Sequence, residues 1–348
     1  MAEYRGSGSK PGKILTTHAK RSNPFWYTRA VLLPGWDKLE DLARRTGKGP
    51  NPLASIYWGW KLFRESRSFE AVATGAEHPA HVFAFLQKTF RNKKRRKIHV
   101  LIDFPWNPPG NKFKLALKRL QWRHEITVID RIVLHSALEQ EQMWAEILTV
   151  PVEKFQFVQY HETLYGKFTA STGDYIFAGG DPNRDYDSLI EAVRGLPVRL
   201  VICARNKRHF DGIQIPENVE IMSATPERFN ELLAGSRMAV VALKPGKLHS
   251  GGHTVVVNAL TMGKPLVIAE DGSLKSYVTP GVDALMVPAG DYQALRNAIT
   301  NILNDNGLAQ RLSENAKLSS ARFTPEAFFS RVFVLIDSCA LEAKRGYQ

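Results

Sequence analysis

Short apolar segments of strand length alternate with helix-length segments along almost the whole chain, and this alternation limits the possible folds more than any other feature. In the first half, strands are expected at Lys13–Thr17, Phe69–Thr74, Lys97–Phe104, Arg131–His135 and Phe155–Tyr160. In the second half they are expected at Tyr175–Ala178, Arg199–Ala204, Val219–Met222, Met238–Leu243 and Pro265–Ala269. Helices fall between them, around His81–Phe90, at Tyr186–Arg194, at Thr254–Met262 and from Asp291 to Leu303. Such an order implies parallel sheets with helical crossovers. Several helix ends are legible as chemistry. Ser136-Ala-Leu-Glu139 is a capping box opening a helix that stops before Pro151, because serine and glutamate satisfy each other's backbone donors. Thr225-Pro226-Glu227 and Thr324-Pro325-Glu326 each supply an N-cap, a first-turn proline and an early acid. Gly235 and Gly263 suit helix C-termini.

At 348 residues the chain exceeds one ordinary core, so two domains are expected. No apolar stretch approaches the roughly 18 residues that span a bilayer, and the basic start lacks the apolar core of a signal peptide. The two cysteines, Cys203 and Cys339, are far apart. They argue against a disulfide framework or a cysteine-rich metal site, and suit a reducing cytosol. The net charge of +13 is carried by residues 1–124, the remainder being slightly acidic. A basic field of this kind attracts nucleic acid, an anionic membrane surface or an acidic substrate.

Two glycine turns carry the chemistry. Ser250-Gly251-Gly252-His253-Thr254 lies between a strand and a helix, with Lys244, Lys247 and His249 close in sequence. Glycines let backbone N–H groups approach an anion, and a helix N-terminus adds partial positive charge. A tight turn that uses glycine only for its conformation accounts for the same residues. Gly179-Gly180-Asp181-Pro182-Asn183-Arg184 is a second strand-to-helix loop. A cation at a helix start is disfavoured by the dipole unless an anion meets it, and arginine pairs bidentately with phosphate. The alternative is an ion pair of Arg184 with Asp181, Asp185 or Asp187.

The segment FAGGDPNRDYDSLIEAV resembles the opening of the nucleotide-binding domain of the family-4 retaining glycosyltransferases (glycosyl transferases group 1). SGGHTVVVNALTMGKPLVIAEDGSLKSYVTPGVDALMVPAGDYQAL is similar to that family's donor-binding core. DRIVLHSALEQEQMWAEILTVPVEKFQFVQY resembles the segment that closes its N-terminal domain, so the likeness runs from about Asp130 to Leu303 and thins out before residue 65. The resemblance implies an α/β GT-B architecture, two Rossmann-like parallel-sheet domains facing across a cleft. It assigns residues 1–165 to a basic, aromatic-rich acceptor domain and 166–325 to the donor domain. The helix of 326–348 would pack back toward the first. It places Gly179, Gly180 and Arg184 at the diphosphate, Ser250, Gly251, Gly252, His253 and Thr254 at the donor sugar and phosphates, and Ile221 and Met222 at the base. Two departures stand out. The family's pair of glutamates reads here as Ser250 and Asn258, and the arginine of its first turn is Gly180. Arg205, with Lys207 and Arg208, either replaces that cation or forms a solvated basic turn.

Sugar transfer needs stabilisation of an oxocarbenium-like centre and of a departing diphosphate. No metal-ligand spacing is visible and the histidines are scattered, so metal-independent chemistry is expected, with no cofactor besides the nucleoside-diphosphate-sugar donor. The expected reaction is retaining transfer to a glycan or lipid-linked acceptor. Asp103, at the end of its strand, is the candidate base toward the acceptor, and His135, at the end of the next, a candidate donor contact. Each also has a structural explanation, as a loop cap or a group satisfying backbone. The aromatic and basic segments 23–63 and 91–97 fit either a membrane interface, with a cytoplasmic protein peripheral on the inner face of the membrane, or ordinary core contacts and a solvated turn before a strand. Nucleic acid ranks lower, since no RNA- or DNA-binding motif accompanies the charge. A GT-B-like binding protein without turnover, a basic surface-binding protein and a nucleotide-sugar epimerase remain as alternatives.

Overall fold

A computed structural model describes residues 14–17, 25–39, 51–75, 78–92, 95–103, 110–137, 147–148, 150–164, 168–181, 183–245, 251–270, 272 and 274–345. The chain divides into two compact units. The first comprises residues 1–134, 144–156 and 329–348, the second residues 135–143 and 157–328.

The first unit is built on a six-stranded parallel sheet. Its strands are β1 (Ile14–Thr16), β2 (Ala30–Leu32), β3 (Ala71–Gly75), β4 (Ile98–Asp103), β5 (Arg131–Leu134) and β6 (Phe155–Phe157), in the order β2-β1-β3-β4-β5-β6. The helices are α1 (Pro52–Glu65), α2 (His78–Phe90) and α3 (Lys112–Glu125). α1 starts where Asn51 accepts from the Ala54 N–H with Pro52 in the first turn, and α3 starts where Asn111 accepts from Phe113 and Lys114. Gly59 lets α1 press onto α2, since a side chain there would run into Val82. Val72 and Leu15 of the sheet cluster with Phe83 and Leu62 beneath the helices. From Phe329 onward the C-terminal helix also belongs to this unit. Phe329 and Phe333 stack on the fully buried Trp26 at 4.8 and 5.1 Å, and Asp337 pairs with Arg29 at 2.6 Å.

In the second unit, β7 (Tyr175–Gly179), β8 (Arg199–Cys203), β9 (Val219–Met222), β10 (Met238–Ala242), β11 (Leu266–Ala269) and β12 (Leu285–Val287) form a parallel sheet ordered β12-β11-β10-β7-β8-β9. Its helices are α4 (Tyr186–Val193), α5 (Pro226–Ala234), α6 (His253–Thr261), α7 (Tyr292–Asn304) and α8 (Asn306–Ser320), and α9 (Pro325–Arg345) begins here. The expected caps form: Thr225 accepts from Arg228 and Asp291 from Ala294. Apolar clusters cover both faces of the sheet, as strands flanked by helices on each side require. The order reverses between β7 and β10, creating a switch point where both strands end beside each other.

Ten strands lie where the sequence places them. β2 and β12 were not anticipated; each has three residues, too few for a pattern, and each completes the open edge of a neighbour. The Phe155 strand ends at Phe157 rather than Tyr160. Beyond it backbone groups turn to side chains: the Val158 carbonyl contacts His135 and the Tyr160 N–H donates to the Tyr277 hydroxyl. These contacts tie residues 157–164 to the second unit, and the two compact units divide at 156/157 and 328/329. The helix expected after Ser136 lies almost wholly outside the described residues.

Candidate functional site

Arg184 sits at the switch point of the second sheet. It follows the turn at the end of β7, bridges to Leu243 just past β10 and precedes Asp185, the N-cap of α4. Its Nε donates to the Gly179 carbonyl at 2.9 Å, so the guanidinium folds back over the turn. Gly180 adopts φ +104°, and a Cβ there would lie 2.6 Å from the guanidinium. Gly252 adopts φ +94°, where a Cβ would lie 2.7 Å from Val241 and 3.5 Å from the other side of the same guanidinium. The two glycine turns noted in the sequence therefore meet around one cation, 4% exposed. Burial lowers the Arg184 pKa from its ordinary value, while Tyr186 and Asp181 act to raise it. Tyr186 donates to the Gly180 carbonyl at 2.5 Å and so fixes the turn.

A cavity of about 370 Å³ opens over the ends of β7, β8 and β9. Gly180, Asp181 and Cys203 form its floor, Ala224, Pro226 and Phe229 an apolar wall, and Thr254 and Asn258 of α6 another side. Burial raises Asp181, but the backbone N–H groups of Asn206 and Arg205 outweigh it and leave the carboxylate below its ordinary range. Asp181 thus braces the turn after β8. The Arg205 side chain also lines the cavity but is largely solvent-exposed, reaching Asp181 only at 3.4 Å. Gly252 caps α6 without offering a side-chain oxygen to the first-turn N–H groups, a helix end open to an anion.

Asn258 is the residue that sequence reasoning set furthest from its surroundings. It is 1% exposed. Its Oδ1 accepts from the Thr163 N–H at 2.9 Å, and its Nδ2 donates to Thr163 Oγ1 at 3.1 Å and to Asn230 Oδ1 at 3.3 Å. A carboxylate has no proton to donate at neutral pH, so this arrangement needs an amide. Thr163 and Asn230, both at the cavity, escaped the sequence reading because nothing local marks them.

Gly251 is buried and Thr254 lines the cavity, whereas Ser250, with Lys247 and His249, lies outside the described residues. His253 opens α6 beside an aromatic group, 4.9 Å from Tyr160 and 5.7 Å from His135 between ring centroids. His135 is buried, with Nδ1 3.0 Å from the Val158 carbonyl, and its own carbonyl accepts from Tyr277. Neither histidine lines the cavity, nor do Ile221 and Met222, which pack against the two core clusters. The wall beyond β9 is made by Ala224, Pro226 and Phe229 instead. Asp103 ends β4 in the first unit. Among the described residues no three His, Cys, Asp or Glu side chains converge as metal ligands.

Two parallel six-stranded sheets flanked by helices define a GT-B fold, the fold of solved glycosyltransferases. The HepE protein of Anabaena, solved with UDP-glucose, is similar with a TM-score of 0.67 at 15% identity, over 94% of this chain and all of that one. Sucrose-phosphate synthase from Thermosynechococcus elongatus is similar with a TM-score of 0.62 at 15% identity, over 84% of this chain and 81% of that one. Residues 178–319, all within the second unit, match the glycosyl transferases group 1 family. An uncharacterized glycosyltransferase of Methanocaldococcus jannaschii is 22% identical over 215 residues, 60% of this chain. A D-inositol 3-phosphate glycosyltransferase of Corynebacterium urealyticum is 27% identical over 150 residues, 40% of this chain. The aligned parts span 59% and 35% of those two relatives.

Proposed function

We propose that the chain is a retaining, metal-independent glycosyltransferase that moves a sugar from a nucleoside-diphosphate-sugar to a glycan or lipid-linked acceptor. The observation that carries this reading is the Arg184 guanidinium, buried between the Gly180 and Gly252 turns at the switch point. A cation so placed, beside a helix N-terminus with no side-chain cap, is preorganised for the charge that develops on a departing diphosphate. The apolar wall of Ala224, Pro226 and Phe229 suits a nucleotide base, and Thr254 stands where donor hydroxyls or phosphate would reach. Asp103 is retained as the base on the acceptor side, and the basic first unit as the part that selects the acceptor.

A thermal-shift panel of UDP-, GDP- and ADP-sugars tests the donor site, with UDP first because the HepE structures hold it. At a concentration about a hundred times Kd, the matching nucleotide should stabilise the second unit by roughly 2.7 kcal/mol. Arg184→Gln should remove most of that gain, and Gly252→Ala should do so too. The absence of a shift with every nucleotide sugar would sink the proposal. Transfer should persist in EDTA and the product should keep the donor's anomeric configuration by NMR. A second reading, nucleotide binding without turnover, is favoured by Asn258, whose amide is engaged where the family places a glutamate. Sugar transfer or donor hydrolysis lost on Arg184→Gln would reject it.

A further inference from the structure

Helices α1, α2 and α3 of the first unit lie side by side: Gly59 seats α1 on α2, and α2 is tied to α3 through His81–Glu125 and through Lys88 to the His124 carbonyl. Their outward faces are apolar. On α3, Trp122 and Glu125 face inward and are buried. Phe113, Leu117 and Leu120, four and seven residues along, face solvent at 72%, 53% and 66% exposure. That is the inverse of an ordinary surface helix, whose apolar stripe meets the core. α1 repeats the pattern, with Leu53, Ile56, Tyr57 and Trp60 exposed at helical spacing and Ser55, Gly59 and Leu62 buried. Phe85 and Phe90 of α2 are exposed as well.

Cations border these stripes. Lys112, Lys114 and Arg123 are exposed on α3, Arg67 lies just past α1, and the Arg64 guanidinium sits 4.8 Å over the Trp60 ring. The three helices contain only two acids, Glu65, paired with Arg64, and the buried Glu125. By contrast, Arg91, Arg96 and Lys97 of the basic run 91–97 are turned to the protein itself, while Arg95 is exposed. Arg91 donates to the Phe63 carbonyl and Ser66, Arg96 pairs with Asp130, and Lys97 donates to the Arg67 carbonyl. Trp26, in the other aromatic segment expected at a membrane, is fully buried.

We infer that the outward face of α1, α2 and α3 docks on an anionic lipid surface. Apolar stripes would enter the headgroup boundary while the flanking lysines and arginines meet lipid phosphates, the pattern of an interfacial helix. A second copy is the poorer occupant, because a two-fold contact would set these cations against themselves. Nucleic acid is poorer too, since Leu53, Ile56, Leu117 and Leu120 interrupt the exposed aromatic rings with side chains that offer bases no stacking surface. The inference stands apart from the donor site and goes beyond the transferase reading.

Flotation of the full chain with vesicles tests it, without nucleotide. The protein should float with phosphatidylcholine–phosphatidylglycerol vesicles and not with phosphatidylcholine alone, and high salt should weaken the binding. The triple variant Phe113→Gln, Leu117→Gln, Leu120→Gln changes only exposed positions. It should keep the wild-type Tm and lower vesicle partitioning by about tenfold or more. Lys112→Gln with Lys114→Gln should weaken binding to anionic vesicles alone. Failure to float with anionic vesicles, or equal flotation of the folded triple variant, would overturn the proposal. So would a concentration-dependent dimer, or RNA binding, that the triple variant abolishes while vesicle binding stays intact. A normal nucleotide shift alongside any of these would leave the donor reading standing.

Discussion

At the scale of single residues, burial decides what a titratable group does. Arg184 is held between two glycine turns with its Nε on the Gly179 carbonyl, whereas His99 is buried inside the first unit's sheet. His99 lies in β4 with Nε2 3.1 Å from Thr74 Oγ1 and its ring edge-on to Phe83. Burial first, then the neighbouring His81 and Arg96, pushes its pKa down to about 3. The unfolded chain binds a proton on this histidine at about pH 6.5 and the folded chain does not, so between these values unfolding takes up a proton. Stability is therefore full above about pH 6.5 and falls as the pH drops toward 3. The expected loss between pH 7 and pH 5 is about 2 kcal/mol from this residue. Urea unfolding at the two pH values should show it, and His99→Gln should flatten the difference; an equal pH dependence in both proteins would assign the effect elsewhere.

At the scale of elements, α6 shows how one helix serves two neighbours. Its N-terminus, capped by Gly252, faces the cavity, while Asn258 on its buried side clamps the segment at Thr163 and the helix of Asn230. Asn258→Asp keeps the shape but removes the donor, leaving Thr163 Oγ1 and Asn230 Oδ1 against a carboxylate. A cost of roughly 1–3 kcal/mol is expected, read as a lower denaturation midpoint without a gain in transfer. An unchanged midpoint would mean that these amide bonds add nothing to stability. The short strands β2 and β12 make a related point: each pairs along the free edge of a neighbouring strand, and three residues alone do not specify a strand.

For the whole molecule, the chain's last helix completes the first unit. Trp26 lies between Phe329 and Phe333, with Arg29 bound to Asp337 beside them. Phe333→Ala should cost about 3–5 kcal/mol in that unit. Calorimetry should show the first unit's transition lowered while the nucleotide-dependent stabilisation of the second persists. Loss of the nucleotide shift on Phe333→Ala would contradict this division of the chain.

Much of this architecture is legible in the sequence. The alternation of strands and helices, the threonine and aspartate caps and the two glycine turns depend on neighbours within about four residues, which a sequence displays directly. The outward stripe of α3 was not legible, because its spacing is that of a core-facing helix and only burial tells which side is turned to solvent. The same holds for Arg91 and Trp26, for which the sequence leaves interface and core both open and which fold inward. The sequence by itself determined the parallel α/β class and the positions of the two glycine loops. The tertiary structure alone decided that those loops close on one arginine, and that Asn258 binds Thr163, 95 residues away in the chain. Partners so distant are set by packing of the whole sheet, for which no local pattern exists.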